Sequence, residues 1–147
     1  MLTVNPENKC ANLINNEDVK YPTIEEMFDM QLQLQRFLHE KKPQCLDFDN
    51  AEHIEKIAEI KSQWAYLTTE FTELIERLPF KTWKNYTPEQ KSGFTSEEEK
   101  LETQFEFIDM FHFFMNIGLL IGIDGKTFAK LYYLKNKENF ERQNRGY

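Results

Sequence analysis

Apolar residues recur along this chain every three or four positions, and that spacing predicts helices throughout. Ile24, Met27, Phe28, Leu32, Leu34 and Leu38 follow one another at roughly helical spacing, and Thr23 with Glu26 forms a capping box at the entry. Pro43 ends that helix. Asn50 is the expected cap of a second, long helix reaching Glu76, with the stripe Ile57, Ile60, Trp64, Leu67, Phe71, Leu74 and Leu78 running on to Pro79. Residues 79–95 hold Pro79, Pro88 and Gly93 and read as a loop. Thr95 and Glu98 repeat the capping-box pattern and open a third helix that runs to about Gly122. Asp124 caps a fourth, from about Lys126 to Asn144. No Val/Ile/Thr alternation marks a strand. The expected architecture is all-α, four main helices forming a bundle, with residues 1–22 as a weakly patterned lead-in and residues 23–147 as one helical domain.

Composition agrees with a folded single domain: 147 residues, 40% hydrophobic, 29% charged, and only 5 Gly and 5 Pro. No apolar run reaches the roughly 18 residues of a membrane-spanning helix. The N-terminal stretch lacks the basic start and apolar block of a secretory signal, so a cytoplasmic protein without a membrane is expected. Cys10 and Cys45 have no CxxC spacing and read as free thiols. A net charge of -7 argues against general nucleic-acid binding, which draws its affinity from a surplus of Lys and Arg. The charge is uneven, however: Lys126 to Tyr147 carries six basic and two acidic residues, so an acidic body ends in a basic segment.

The third helix is the most informative element. From Phe105 to Ile123 nearly every position is apolar or Gly, the exceptions being Glu106, Asp109, His112 and Asn116. At about 100° per residue these four fall on one narrow polar line. A solvent-facing line would account for them, but Leu101 to Gly125 contains no Lys or Arg to mix the signs. The alternative is an inward pair of carboxylates that shares a cation. Two carboxylates about 4 Å apart repel by around 4 kcal/mol at an effective dielectric near 20, so such a cluster needs protonation or a metal.

The second helix offers Glu70 and Glu73, again three apart. Glu70 flanks the apolar stripe; Glu73 lies nearly opposite it, where an ordinary surface Glu belongs unless another helix or subunit covers that face. Four oxygen ligands without Cys or paired His favour Mg²⁺ or Mn²⁺ over zinc. His112 reads by default as a satisfied core histidine. On the fourth helix, Tyr132, Lys135, Asn139 and Arg142 share one face, suited to a phosphate chain or simply to the negative end of the helix dipole. Metal-binding carboxylates and a cationic face together meet the needs of phosphoanhydride hydrolysis. No Gly-rich phosphate loop is present.

These residues resemble the all-α dimeric dUTPases, within the wider all-α nucleoside triphosphate pyrophosphatase superfamily, whose mark is Glu-x-x-Glu followed by Glu-x-x-Asp. The matching segments are MFDMQLQLQ (27–35), TEFTELIERLPFKTW (69–83), EFIDMFHFF (106–114) and YLKNKENFERQNRGY (133–147). The last, Lys-Asn-x-x-Asn-x-x-Arg-Gln-x-x-Gly-Tyr, is the most specific. The resemblance implies that Glu70, Glu73, Glu106 and Asp109 bind Mg²⁺ and that Lys81, Lys135, Asn139 and Arg142 contact phosphates. It implies that Gln31, with Gln35 one turn on, reads the pyrimidine edge, that Trp83 walls the base and sugar, and that His112 and Phe113 lie by the deoxyribose. It further implies a homodimer that hydrolyses dUTP to dUMP and pyrophosphate, with Glu73 orienting the water and Glu70 beside it, in a bacterial or phage-infected cell. Gln35 stands where the family pattern has Asn or Asp. The interval Leu74 to Phe105, 32 residues, exceeds the usual superfamily spacing. Two other readings stay open: a relative that prefers dCTP or another nucleotide, and a non-catalytic helical interaction module.

Overall fold

The computed structural model describes residues 10–15 and 19–146, and every regular element among them is helical. Within the lead-in, Cys10–Asn15 forms a 3₁₀ turn. Residues 1–9 and 16–18 of that lead-in, and Tyr147 of the C-terminal motif, lie outside the described residues. Four long helices appear as expected: α1 (Ile24–Lys41), α2 (His53–Glu76), α4 (Glu97–Leu120) and α5 (Gly125–Asn144). A fifth, α3 (Pro88–Ser92), interrupts the segment expected to be a loop. There Thr87 and Gln90 form a capping box and Pro88 takes a first-turn position, where its missing N–H costs nothing.

The ends of the helices follow from local chemistry. At α1 the Thr23 hydroxyl accepts from the Glu26 N–H at 3.2 Å while the Glu26 carboxylate accepts from the Thr23 N–H at 2.6 Å, the expected reciprocal cap. Asn50 does not cap α2. Its backbone N–H (3.1 Å) and side-chain amide (2.9 Å) both donate to the Asp47 carboxylate, which closes a turn before the helix. The helix begins later, where the Glu55 carboxylate accepts from the Glu52 N–H at 2.7 Å. Ser96, not Thr95, caps α4, accepting from the Glu99 N–H at 3.0 Å. That helix stops at Leu120, short of Gly122. Gly122 adopts φ 83°, and Ile123 N–H returns to the Gly118 carbonyl at 2.8 Å, a Schellman ending that needs glycine at the left-handed position. Asp124 caps α5 as expected, accepting from the Thr127 N–H at 2.7 Å.

The chain divides into two compact units, residues 1–20 with 64–114, and residues 21–63 with 115–147. In the second, α1 packs against α5, and the α5 start comes so near that a Cβ on Gly125 would lie 2.5 Å from the Glu25 Cα. Phe28, buried there, tilts against Phe128 with ring centroids 5.4 Å apart. In the first unit, Tyr66 of α2 meets Phe113 of α4 at 5.6 Å. The apolar stripe of α2 is only partly covered: Ile57, Trp64 and Phe71 are exposed, Ile60, Leu67, Leu74 and Leu78 are half-buried, and the buried residue of that helix is Gln63. No single helix among the described residues is long and apolar enough to cross a membrane.

Candidate functional site

In the first unit, α2 supplies Glu70 and Glu73 and α4 supplies Glu106 and Asp109, each pair one turn apart on its helix. Carboxylate oxygens of Glu70, Glu106 and Asp109 lie within 4.8 Å of one another, and all three residues are half-buried. Burial raises the Glu70 pKa, and the negative charges of Glu73, Asp109 and Glu106 raise it further. Asp109 is likewise raised by burial; His112 lowers it in part, and Glu106 adds to the rise. The arrangement thus holds negative charge at a cost that a cation would remove. Three hard oxygen donors without thiolate fit Mg²⁺ or Mn²⁺. Glu73 is exposed and stands outside this trio, although its charge reaches Glu70.

A cation does reach the acids, and it comes from the turn that follows α2. Arg77 Nε donates to Glu106 Oε1 at 2.8 Å, and its other nitrogens lie 3.7 Å from Glu99 and 4.0 Å from Glu102. Arg77 follows Glu70 by seven residues, one position past the end of α2, a spacing that on a continuing helix falls within about 20° of the same face. That spacing was the available sign that the acid-rich stretch of α4 has a basic counterpart.

Other expected site residues in this unit divide in their exposure. His112 is partly exposed rather than a core histidine, with Nδ1 3.9 Å from the Asp109 carboxylate. Phe113 is partly covered by Tyr66. Trp83 is 80% exposed. Lys81 lines an open cavity of about 710 Å³ together with Arg77, Lys84, Lys91, Phe80 and Phe94. Its backbone N–H donates to the Tyr86 hydroxyl at 3.0 Å, which fixes the turn that carries it.

The second unit holds the remaining candidates. Gln31 and Gln35 are both buried on α1. Gln31 Nε2 donates to Asn116 Oδ1 at 2.7 Å, and Asn116 Nδ2 donates to Gln63 Oε1 at 2.9 Å. Gln63 Nε2 in turn donates to Glu59 Oε1 at 2.8 Å. Asn116, one of the four polar positions expected on a single line of α4, is therefore a buried structural amide. Sequence reasoning missed this relay; the sign of it was Gln63 standing seven residues before Glu70, as Asn116 stands seven after Asp109. On α5, Lys135 and Asn139 are exposed, while Arg142 Nε donates to Glu138 at 3.0 Å.

Comparison with known proteins follows the same lines. The dUTPase family model matches residues 23–128. A dCTP pyrophosphatase of Enterobacteria phage LZ5 is 36% identical over 168 aligned residues, covering 95% of this chain and 98% of that protein. The dCTP pyrophosphatase of Enterobacteria phage T4 is 33% identical with the same coverage. A phage T4 protein named as a DNA replication protein is 31% identical over 88% of this chain, but over 40% of its own length. No solved structure gives a significant match.

Proposed function

Since the chain belongs to the all-α dUTPase family, we propose that it is a Mg²⁺-dependent nucleoside triphosphate pyrophosphohydrolase acting on a pyrimidine deoxynucleotide, dUTP in the first reading. The observation that carries this is the half-buried trio Glu70, Glu106 and Asp109, whose oxygens converge within 4.8 Å. Charges held that close, with two carboxyl pKa values raised, are a binding site for a divalent cation more readily than a solvated surface. A cation bound there supplies neutralisation of the phosphates and a lowered pKa for the attacking water. The chain's own part is to hold and orient. Glu70, Glu106 and Asp109 are the ligands, with Glu73 completing the set; Arg77 keeps Glu106 in place.

Glu73 orients the water and accepts its proton at a carboxylate oxygen. Lys81, Lys135, Asn139 and Arg142 bind phosphate oxygens, three cations and an amide that all donate hydrogen bonds. Gln31 meets the pyrimidine edge with an amide that both donates and accepts, and Gln35 assists it. Trp83 walls the base and sugar, and His112 and Phe113 border the deoxyribose. A homodimer suits the exposed apolar stripe of α2, since an uncovered patch of Ile57, Trp64 and Phe71 is more stable against a second copy than in water.

A second reading, hydrolysis of dCTP to dCMP and pyrophosphate, is favoured by the names of the two phage relatives that match 95% of this chain. The deciding experiment measures pyrophosphate release from dUTP, dCTP, dTTP and UTP, each with Mg²⁺ and with chelator. Metal-dependent release from dUTP alone supports the first reading, release from dCTP the second. No release from any of them favours a helical interaction module.

A further inference from the structure

We propose that Glu59 sets which pyrimidine Gln31 reads, by fixing the direction of the Gln31 side-chain amide through Gln63 and Asn116. The inference rests on the reading above in which Gln31 meets the base. It does not depend on which pyrimidine is the substrate.

An amide side chain has nearly the same shape either way round, so burial alone does not decide which end points where. A carboxylate does decide, because its oxygens only accept. Beginning at Glu59, Gln63 must turn its NH₂ toward the carboxylate, at 2.8 Å. Its carbonyl is thereby left facing Asn116, which must present its own NH₂, at 2.9 Å. The Asn116 carbonyl then faces Gln31, which must donate, at 2.7 Å. Without Glu59 the three amides could reverse together and keep both bonds between them. Gln31, Gln63 and Asn116 are only 4%, 5% and 2% exposed, so water is not at hand to repair a reversed member. Glu59 is the one acceptor-only group in the relay, and it removes this freedom.

The consequence lies at the Gln31 end. One of its N–H groups is committed to Asn116, and the other N–H and the carbonyl remain in a fixed order. Cytosine presents an acceptor at N3 beside a donor at its amino group; uracil presents a donor at N3 beside an acceptor at O4. An amide free to turn over pairs with both. An amide held one way round pairs with one and sets like against like on the other, which a site built from hydrogen bonds rejects strongly. Glu59, Gln63 and Asn116 are thus positioning residues for base selection.

The test is Glu59→Gln, which keeps the shape but can donate as well as accept. With purified protein at saturating Mg²⁺, kcat/KM is measured for dCTP and for dUTP. The disfavoured pyrimidine should gain and the preferred one lose, so that their ratio moves at least tenfold toward unity, with the Mg²⁺ concentration for half-maximal rate unchanged within twofold. A ratio within twofold of the wild-type value overturns the proposal. The relay is also read without catalysis, which separates it from the proposed activity. In proton–nitrogen NMR spectra, Glu59→Gln should give a second set of side-chain amide signals for Gln31 and Asn116, as both directions become populated. One unshifted set would overturn the relay even in an active enzyme; absence of turnover in the wild type would overturn the activity instead.

Discussion

The α2 and α4 helices each carry two kinds of polar residue one heptad apart, Gln63 and Glu70 on the first, Asn116 and Asp109 on the second, and the two kinds behave oppositely. Gln63 and Asn116 are neutral amides with both donors and acceptors, so they satisfy each other and can be buried almost completely. Glu70 and Asp109 can only accept. They cannot satisfy each other, they stay half-buried, and their pKa values rise. The same fold tolerates the first pair as structure and retains the second at a cost, a difference compatible with the cation site proposed above. Arg77 supplies part of the positive charge through Glu106.

The comparison breaks most sharply at Glu70. Glu70→Gln should lower metal-dependent pyrophosphate release by on the order of 10³-fold, because the cation that offsets developing charge on the phosphates loses a charged ligand. It should also leave the metal-free protein at least as stable, since it removes a charge held among like charges. Turnover assays and thermal melts in chelator check both halves. Asn116→Ala should show the reverse emphasis. It strands the Gln31 and Gln63 amides in a buried setting and should cost about 2 to 3 kcal/mol in urea denaturation, while Mg²⁺ still binds.

Arg77→Ala sharpens the contrast further. Its side chain is 27% exposed, so the pair it breaks is screened in part, and a loss of about 1 to 2 kcal/mol in chelator is expected. Saturating Mg²⁺ should restore most of that loss, because the metal replaces the lost charge; equal destabilisation with and without Mg²⁺ would separate Arg77 from the site. The smallest effect is the pH dependence. A carboxyl whose pKa is raised on folding binds its proton more tightly in the folded state. Glu70 and Asp109 therefore subtract stability as pH rises from the ordinary carboxylate range to their raised values, and the full penalty persists above. In chelator, acidification through that window should raise the melting temperature relative to Glu70→Gln, and Mg²⁺ should flatten the difference. Glu26, Asp47, Asp49 and Asp124, whose pKa values are lowered mainly by hydrogen bonds, act in the opposite sense and lower in pH.

Much of this was legible in the chain because it is local. Thr23 with Glu26, and Asp124 before α5, carry their own partners within three residues, and both caps form as read. The pairing of Glu70 with Glu106 and Asp109 was legible through spacing, which places each carboxylate on a defined face. Asn50 misled because its backbone N–H and side-chain amide donate to Asp47 and draw it into a turn before the helix, which begins only at His53. The short helix at Pro88 was hidden because proline reads as a breaker although it suits a first turn. For Arg77 and the relay from Glu59 to Gln31 the spacing marks only a shared helix face; their partners stand 29 and up to 85 residues away, and only packing brings them together. The exposed stripe of α2 was visible as a pattern, but whether a pattern is covered depends on what packs against it.

The carboxylates of α2 and α4 are proposed to hold a divalent cation. Titrating the purified, metal-free protein with Mn²⁺ in a calorimeter tests this most directly, alongside Glu70→Gln and Asn116→Ala. Saturable binding in the wild type and Asn116→Ala, and none in Glu70→Gln, is the predicted result. Heats without saturation in the wild type, or identical isotherms in all three proteins, would contradict it.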